Sequence, residues 1–305
     1  MTDNRPSPRL KLPVEAGLIL DASKHLNVLA KAVQAKGENE TADWLVSQAA
    51  QLELASPEIQ TCWGGPFNGQ NGREAIVIDL LQRLGSKTVV ETGTYRGIST
   101  EWFAQHSVEQ VITCEKEQLY YLQAMIRLSR YSNVRLQLQD SRTALREICT
   151  SLPPQAVTFF YLDAHGDADL PLAAELQIIF GGPSNAVVMI DDFKVPDDSG
   201  YEWDDWGVDN CLDVKLLQRV LPKGCTVFFP VLPAREETGA RRGCCVIASN
   251  ASSKIDACKL LRGNSIGEWV HIQQSHDEAA KLRQDRTSRP RIMRRAWQWL
   301  RRISC

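Results

Sequence analysis

The sequence has no apolar run of the roughly 18–20 residues that a membrane-spanning helix needs, so we expect no transmembrane segment. It also has no internal repeat and no long low-complexity tract. The polar N-terminus, MTDNRPSPRLKLP, carries basic residues without the apolar stretch of a signal peptide. Together these absences favour a soluble protein, and the expected location is cytoplasmic.

Paired cysteine motifs are missing too. The nine cysteines are odd in number, and no two of them are spaced as CxxC. Cys114 and Cys244 lie within apolar, strand-like runs, where cysteine behaves as a small hydrophobic residue. We therefore expect reduced thiols, not a disulfide framework or a zinc site.

The composition itself is that of an ordinary globular protein. The chain has 305 residues, 43% of them hydrophobic and 24% charged, which is typical of one large domain with extra elements, or at most two domains. The net charge of −2 hides an asymmetry, because residues 281–305 carry a net +8 and the remainder carries −10. Since an acidic body repels phosphates, we expect no specific nucleic-acid partner.

Hydrophobic periodicity divides the chain into three parts. Residues 1–64 contain a helical pattern, over 18–54 and broken near Gly37, which predicts an N-terminal helical lid or extension. Residues 65–260 open with another helical pattern and then alternate short apolar strands with helices, as in a sheet covered on both faces. Residues 261–305 are predicted to be a C-terminal extension with a basic amphipathic tail.

Seven strands are predicted from residue 87 onward. They cover 87–92, 110–115, 133–139, 157–163, 186–191, 225–231 and 243–249. The last two are joined by a charged, turn-like segment and should form a hairpin. The predicted fold class is therefore α/β: a doubly wound, Rossmann-like, seven-stranded and mostly parallel sheet with a C-terminal β-hairpin, preceded by N-terminal helices.

The first strand runs into the segment VETGTYRGIS, residues 90–99. Gly93 and Gly97 permit a tight turn and a close approach of a ligand to the backbone, at the end of the strand where open α/β sheets bind ligands. The GxxxG spacing differs from the GxGxxG of NAD sites, and Glu91 suits a cationic amino-acid ligand better than a diphosphate. A purely structural strand-to-helix turn is the alternative.

Polar residues end the next two strands as well. Glu115, which follows Glu91 by 24 residues, can accept hydrogen bonds from ribose hydroxyls. Asp140 and Ser141 end the third strand and begin a helix, so they either cap that helix or contact adenine. The three strand ends together strengthen the prediction of a nucleoside ligand.

Acidic residues end the fourth and fifth strands. Asp163, Asp191 and Asp192 would repel one another at a single sheet edge unless a cation shared them. Because oxygen ligands suit Mg²⁺ or Mn²⁺, these three are candidate metal ligands. As alternatives, Asp163 caps a helix or belongs to a loop, and Asp192 is solvated. His165 is a candidate metal ligand, a candidate general base or simply a polar loop residue.

These motifs resemble those of class I S-adenosylmethionine-dependent methyltransferases. ETGTYRGIS, residues 91–99, is similar to the ELGAYCGYS segment of the catechol O-methyltransferase type, and Asn68 falls where that type has an asparagine covering the cofactor. The strand ends at Asp163 and at Asp191 also resemble those of the macrocin type of sugar O-methyltransferases. The resemblance spans roughly residues 65–200.

The resemblance implies S-adenosylmethionine and Mg²⁺ as cofactors. It assigns the methionine part to Glu91, Gly93, Tyr95, Gly97 and Ser99, the ribose to Glu115, the adenine side to Asp140 and Ser141, and the metal to Asp163, Asp191 and Asp192. Asp163 would also border the cofactor, and Asn68 would cover it.

The sequence departs from the family at two positions. Gly166 stands where the family has its catalytic lysine, and residues 164–182 contain no lysine. His165 or Asp167 is then the candidate base, with Asp163 as the other candidate catalytic residue. In addition, Asp192 replaces an asparagine of the metal site, which adds a negative charge.

The predicted function is methyl transfer to a hydroxyl of a small molecule, such as a phenol, a catechol, a sugar or another natural product. An inactive cofactor-binding module and a NAD-linked oxidoreductase are the alternatives. Tyr201, Trp203 and Trp206 either stack on a substrate ring or pack their own loop. The basic tail is a candidate for peripheral membrane or partner contact, and the N-terminal helices are a candidate homodimer contact.

Overall fold

The computed structural model describes residues 14–60, 65–106, 108–153, 155–166, 169–182, 185–207, 210–249 and 252–288. The predicted basic tail beyond residue 288 and the candidate base Asp167 lie outside these ranges. Within them, no helix has both the length and the apolar character needed to cross a bilayer.

The part of the chain that the structure describes contains eleven α-helices. They are α1 Val14–Gln34, α2 Asn39–Leu54, α3 Pro57–Gln60, α4 Asn71–Leu84, α5 Ile98–Gln105, α6 Gln118–Leu128, α7 Ser141–Ser151, α8 Leu172–Gly181, α9 Val214–Val220, α10 Ser252–Ile255 and α11 Ile266–Ser288. The predicted break near Gly37 separates α1 from α2. These two helices pack against each other and against α6, which places the N-terminal pair beside the sheet domain.

The sheet has eight strands in the order β3-β2-β1-β4-β5-β7-β6-β8. The strands are β1 Thr88–Thr92, β2 Gln110–Glu115, β3 Val134–Leu138, β4 Thr158–Leu162, β5 Ala186–Ile190, β6 Thr226–Pro230, β7 Cys245–Ala248 and β8 Leu261–Ser265. The first five strands pair in parallel, and β6 and β7 form an antiparallel pair next to β5. The predicted doubly wound, mostly parallel sheet with a C-terminal hairpin is therefore confirmed.

The predicted number of seven strands is wrong, because β8 pairs antiparallel with β6 and adds an eighth. Its sequence, LRGNS, has one apolar residue, the buried Leu261, and the four residues after it alternate between half-buried and exposed positions. It therefore lacks the apolar run that marks the other strands. Gly263 lets this strand approach closely, since a Cβ at that position would lie 2.5 Å from the Phe228 ring. An edge strand of this kind leaves little signal in hydrophobic periodicity.

The core lies on both faces of the sheet, because alternate strand residues point to opposite sides. Val90, Phe160 and Val188 belong to the larger cluster, which α7, α8, α9 and α11 cover. Val89 and Phe159 belong to the second cluster, on the face that α4 and α5 cover. Burial on both faces explains why these strands read as continuous apolar runs.

Pairing register decides which side chains meet at the carboxyl edge. Thr92 of β1 pairs with Leu162 of β4, and Leu162 pairs with Ile190 of β5. Residues that follow these strands therefore come together at one edge, as do the residues at the end of β2. The polar residues predicted as site residues occupy these positions.

Candidate active site

An open cleft with a cavity volume of about 80 Å³ lies at this carboxyl edge. Its walls are residues 65–68, residues 93–96 with Ile98 and Ser99, and the side chains of Tyr161, Asp163 and Asp191. Six predicted site residues thus line it: Asn68, Gly93, Tyr95, Ser99, Asp163 and Asp191. Glu91, Gly97, Glu115, Asp140 and Ser141 lie at the ends of the neighbouring strands but are not among the lining residues.

The glycine turn after β1 has a steric reason for each glycine. Gly93 has a φ of +81°, and a Cβ there would lie 2.3 Å from the carbonyl oxygen of Asp163. Gly97 has a φ of +75° and is the N-cap of α5. A Cβ at Gly97 would lie 3.3 Å from the side chain of Leu128. Tyr95 adopts a left-handed φ of +50° without being glycine. Backbone strain of this kind is characteristic of ligand-binding turns.

Glu91 is fully buried beneath this turn. Its Oε2 accepts hydrogen bonds from the hydroxyls of Thr100 and Thr113, the latter at 2.7 Å. The other oxygen, Oε1, is buried without a hydrogen-bond partner among the described residues. Burial raises the pKa of Glu91, and the hydrogen bonds from Thr100 and Thr113 oppose that shift. An orphaned carboxylate oxygen here can accept a hydrogen bond from a cationic ligand group.

Glu115 shapes the turn from the end of β2. Its Oε2 accepts the backbone N–H of Tyr95 and its Oε1 accepts that of Glu117, both at 2.8 Å. Burial is the main cause of its raised pKa. Each oxygen keeps a further lone pair, so contacts to ribose hydroxyls remain compatible with this role.

Asp140 is the N-cap of α7, which confirms the capping alternative for this residue. Its Oδ1 accepts the backbone N–H of Arg142 at 3.0 Å. The Arg142 guanidinium also bridges Asp140 and Asp169, at 2.6 and 2.9 Å, and the hydrogen bond from Arg142 lowers the pKa of Asp140. Ser141, the first residue of the helix, is buried.

Asp191 is buried and enclosed by donors. Arg73 of α4 forms a buried ion pair with its Oδ1, which also accepts the backbone N–H of Asp192 at 2.7 Å. The hydroxyl of Tyr161 donates to Oδ2 at 2.5 Å, and the amide of Asn68 donates to it at 3.4 Å. Arg73 was missed in the sequence, where its only signal is a basic residue within the apolar pattern of α4.

His165 lies at the centre of a second group of carboxylates, with only 3% of its side chain exposed. Its Nε2 is 3.5 Å from Asp163, 3.8 Å from Asp192 and 3.9 Å from Asp204. Burial alone would lower the pKa of His165, but the carboxylates outweigh it and raise the pKa to about 9. Donor atoms of Asp163, His165 and Asp192 all lie within 4.8 Å of one another.

Arg242 supplies the positive charge of this second group. Its Nε contacts Oδ1 of Asp192 at 2.8 Å, and its Nη2 forms an ion pair with Oδ1 of Asp204. Burial would raise the pKa of Asp192, yet His165 and Arg242 hold that pKa well below its usual range. For Asp163, desolvation together with the negative charge of Asp192 outweighs the attraction of His165 and raises the pKa. Asp192 itself has a left-handed φ of +52°.

The structure thus joins Asp163 and Asp192 with His165, whereas the carboxylate of Asp191 is held by its own set of donors, one of which is the backbone N–H of Asp192. Asp204 and Arg242 were not predicted. The only hint of Asp204 in the sequence is its place in the acidic segment that also carries Tyr201, Trp203 and Trp206.

The aromatic residues of that segment have different environments. The hydroxyl of Tyr201 donates to the carbonyl of Leu232 at 2.9 Å, and its ring is buried, so for this residue the packing alternative is confirmed. Trp203 lies over the ammonium of Lys194, with 5.0 Å between that nitrogen and the ring centroid. Trp206 is 44% exposed and remains available for ring stacking.

A buried ion pair connects the N-terminal helices to the glycine turn. Arg96 is 2% exposed, and its Nε contacts Glu53 of α2 at 3.2 Å. Gln123 of α6 donates to the same carboxylate at 2.9 Å. The Arg96 guanidinium also stacks over the Tyr95 ring, 4.3 Å from its centroid. The conformation of Tyr95 therefore depends on α2.

Comparisons with known proteins give a distant likeness. No protein-family model matches the chain, and a search of curated proteins finds no match. Among solved structures, the chain is similar to an O-methyltransferase from Bacillus cereus in complex with SAH, at 15% identity and a TM-score of 0.44, over 67% of this chain and 90% of that one. A putative O-methyltransferase from Klebsiella pneumoniae matches at 16% identity and a TM-score of 0.44, over 68% and 90% of the two chains. TomG from Streptomyces achromogenes, an O-methyltransferase involved in tomaymycin synthesis and solved with SAM, matches at 16% identity and 0.42, over 58% and 79%.

Proposed function

We propose that this protein is an S-adenosylmethionine-dependent O-methyltransferase that uses a divalent cation, Mg²⁺ or Mn²⁺, and acts on a small-molecule hydroxyl. The observation that carries the proposal is the strained glycine turn over the orphaned oxygen of Glu91, at a cleft that is also lined by Asp163 of the histidine–carboxylate group. A sulfonium cofactor on the turn and an acceptor at the acidic group would place donor and acceptor in contact.

The cofactor half of the proposal follows from the turn. Gly93 brings the backbone against the end of β4, so the methionine part would lie beside Asp163. The carboxylate of Glu91 would accept from the amino group, and that of Glu115 would accept from the ribose. Asn68, in a left-handed turn that lines the cleft, would cover the cofactor.

The acidic group fits a divalent cation. Asp163, Asp192 and Asp204 carry three negative charges, and Arg242 compensates one of them. The buried Nε2 of His165 has no hydrogen-bond partner among the described residues. A cation bound here would lower the pKa of an acceptor hydroxyl and hold it near the methyl donor.

Transfer breaks the S–CH₃ bond of the cofactor and forms an O–CH₃ bond, and the hydroxyl proton must leave. Asp163, which lines the cleft, is the side chain that would receive it. The partly buried cleft orients the two substrates and excludes part of the solvent, and such positioning supplies much of the rate in a direct displacement.

Calorimetric titration with S-adenosylhomocysteine tests the proposal, with NAD as the competing ligand. We expect binding of S-adenosylhomocysteine and none of NAD. Glu91→Gln should weaken that binding about tenfold or more, since it removes the charge that faces the amino group. Glu109→Gln, at the exposed opposite end of β2, is the matched control and should leave it unchanged. Preference for NAD, or no nucleoside binding, would overturn the proposal.

A second candidate function is a cofactor-binding module without turnover. The observation that favours it is Gly166 at the position of the family's catalytic lysine. This candidate predicts binding of S-adenosylhomocysteine but no methylation of any phenol, catechol or sugar in an acceptor screen with either cation. Methylation of one such acceptor would eliminate it.

A further inference from the structure

We infer that His165 is a metal ligand, that it binds the cation together with Asp163 and Asp192, and that Asp191 does not coordinate it. We further infer that this donor set selects a first-row transition ion such as Mn²⁺ over Mg²⁺. The inference rests on the proposed function for its role in catalysis, whereas metal binding itself can be measured independently of cofactor and acceptor.

His165 is surrounded by carboxylates that do not hydrogen-bond to its Nε2. Its Nε2 faces carboxylate oxygens at 3.5, 3.8 and 3.9 Å, and makes no hydrogen bond to them. An imidazolium paired directly with a carboxylate would normally approach to about 2.7–2.9 Å. Donor atoms that share one ion through bonds of about 2.1 Å lie roughly 3–4 Å apart. The three distances from Nε2 fall in this range, and the donor atoms of Asp163, His165 and Asp192 all lie within 4.8 Å of one another.

Arg242 orients two of the carboxylates around His165. Arg242 forms ion pairs with Oδ1 of Asp192 and Oδ1 of Asp204. The Oδ2 atoms of the same two residues face His165. Arg242 thereby fixes the direction of two carboxylates and neutralises one charge. The three carboxylates and one guanidinium leave a net charge of −2 once His165 is neutral, as a metal-bound imidazole is, and a divalent cation balances that charge.

The carboxylate oxygens of Asp191 already accept hydrogen bonds from four donors. An ionised carboxylate offers about four lone-pair positions, and Asp191 meets four donors. Arg73 and the Asp192 N–H donate to Oδ1, and Tyr161 and Asn68 donate to Oδ2. Its charge is neutralised by Arg73 as well. To coordinate a metal, Asp191 would have to give up a buried ion pair.

The choice of ion follows from the donor atoms. Mg²⁺ prefers oxygen ligands and retains its water molecules, whereas imidazole nitrogen favours the first-row transition ions. Mn²⁺ belongs to the first row and, like Mg²⁺, is suited to carboxylate ligands. A donor set of one imidazole and two carboxylates therefore points to Mn²⁺ rather than Mg²⁺.

Electron paramagnetic resonance of the full chain titrated with Mn²⁺ tests this inference. We expect one bound ion and, in the electron spin echo, modulation from a coordinated ¹⁴N nucleus. His165→Gln should abolish the modulation and weaken Mn²⁺ binding about tenfold or more. Asp191→Asn should keep the modulation, with Mn²⁺ affinity changed by no more than about threefold, since second-shell changes act through the ligands. Displacement of Mn²⁺ should need a large excess of Mg²⁺.

Near-ultraviolet circular dichroism of each variant checks that it folds, and His165→Asn is a second variant if the glutamine does not. Absence of Mn²⁺ binding would overturn the inference and leave His165 as an imidazolium among carboxylates. Bound Mn²⁺ without ¹⁴N modulation, or loss of binding in folded Asp191→Asn, would also overturn it. The titration with S-adenosylhomocysteine is read separately, so failure of the cofactor proposal leaves the metal result intact.

Discussion

At the residue scale, backbone conformation marks the site as clearly as side-chain chemistry does. Among the described residues, five other than glycine have a positive φ: Phe67, Asn68, Tyr95, Asp192 and Arg241. The first three line the cleft, and Asp192 belongs to the acidic group around His165. Such strain persists only where surrounding contacts over-determine the conformation. Arg241 directly precedes Arg242, which contacts the same acidic group.

At Gly93, the cost of a positive φ can be separated from the cost of steric contact with Asp163. Gly93→Ala would combine a positive φ with a Cβ 2.3 Å from Asp163, whereas Gly37→Ala has a similar φ of +85° and open space around it. We expect Gly37→Ala to cost about 1 kcal/mol of unfolding free energy from φ alone. Gly93→Ala should cost about 1–3 kcal/mol more through overpacking and should lose S-adenosylhomocysteine binding. Equal urea midpoints for the two variants would contradict this.

Glu91 gives a pH-dependent prediction. Burial raises its pKa in the folded protein, so the folded state holds this proton more tightly than the unfolded state does. Ionisation of Glu91 therefore costs stability as the pH rises from about 4.3, the unfolded pKa, through the folded pKa. Glu91→Gln removes that cost. Its stability relative to the parent should rise between pH 4 and pH 7.

Urea unfolding across this pH range measures the difference. Glu109→Gln, whose side chain is 67% exposed in the parent, is the control and should follow the parent closely. A flat or falling difference for Glu91→Gln would show that the carboxylate is not held in the environment described. The expected combination is a more stable protein at neutral pH that binds its cofactor less well, because a buried charge kept for function costs stability.

At the scale of elements, the glycine turn is held by the N-terminal helix pair. The Glu53–Arg96 pair is almost fully buried, while Lys31 and Glu117 form an exposed pair between the same two parts of the chain. Removing one partner of a buried pair costs about 3–5 kcal/mol, and an exposed pair contributes about 1 kcal/mol or less. The buried pair therefore governs how α2 docks and how Tyr95 is oriented.

Glu53→Gln should consequently weaken S-adenosylhomocysteine binding although Glu53 does not line the cleft. We expect roughly a tenfold loss of affinity, comparable to the effect of losing an outer-shell partner. Lys31→Gln should change the affinity little. Calorimetry well below the melting temperature separates the two effects. A variant that melts earlier yet binds the nucleoside normally would show that the helix pair is only structural.

Prediction of elements from the sequence succeeded where the signal is local. The strands of the parallel sheet are apolar runs, and the helices around them follow their periodicity. β8 was missed because LRGNS has no such run and its pairing partner is distant in sequence. The same limit applies to Gln70, whose amide pairs with the backbone of Arg242 at 2.6 and 2.9 Å.

At the scale of the whole molecule, strand order brings the candidate residues together. A sequence places Asp163, Asp191 and Asp192 after two strands, and sheet topology then predicts that they meet. The sequence does not show which lone pairs of these carboxylates already accept a hydrogen bond. That distinction depends on Arg73 from α4 and on Arg242 from the loop before β7, which tertiary packing alone delivers to the site.

The contact between α2 and the glycine turn has a thermodynamic corollary. Coupling between two binding events is reciprocal, so any free energy that docking of the helix pair contributes to cofactor affinity returns as tighter docking once the cofactor is bound. Opening of the pair should then become rarer on saturation, and its amide protons should exchange more slowly. Through Glu53 and Arg96, two helices that do not line the cleft would report whether the cofactor is bound.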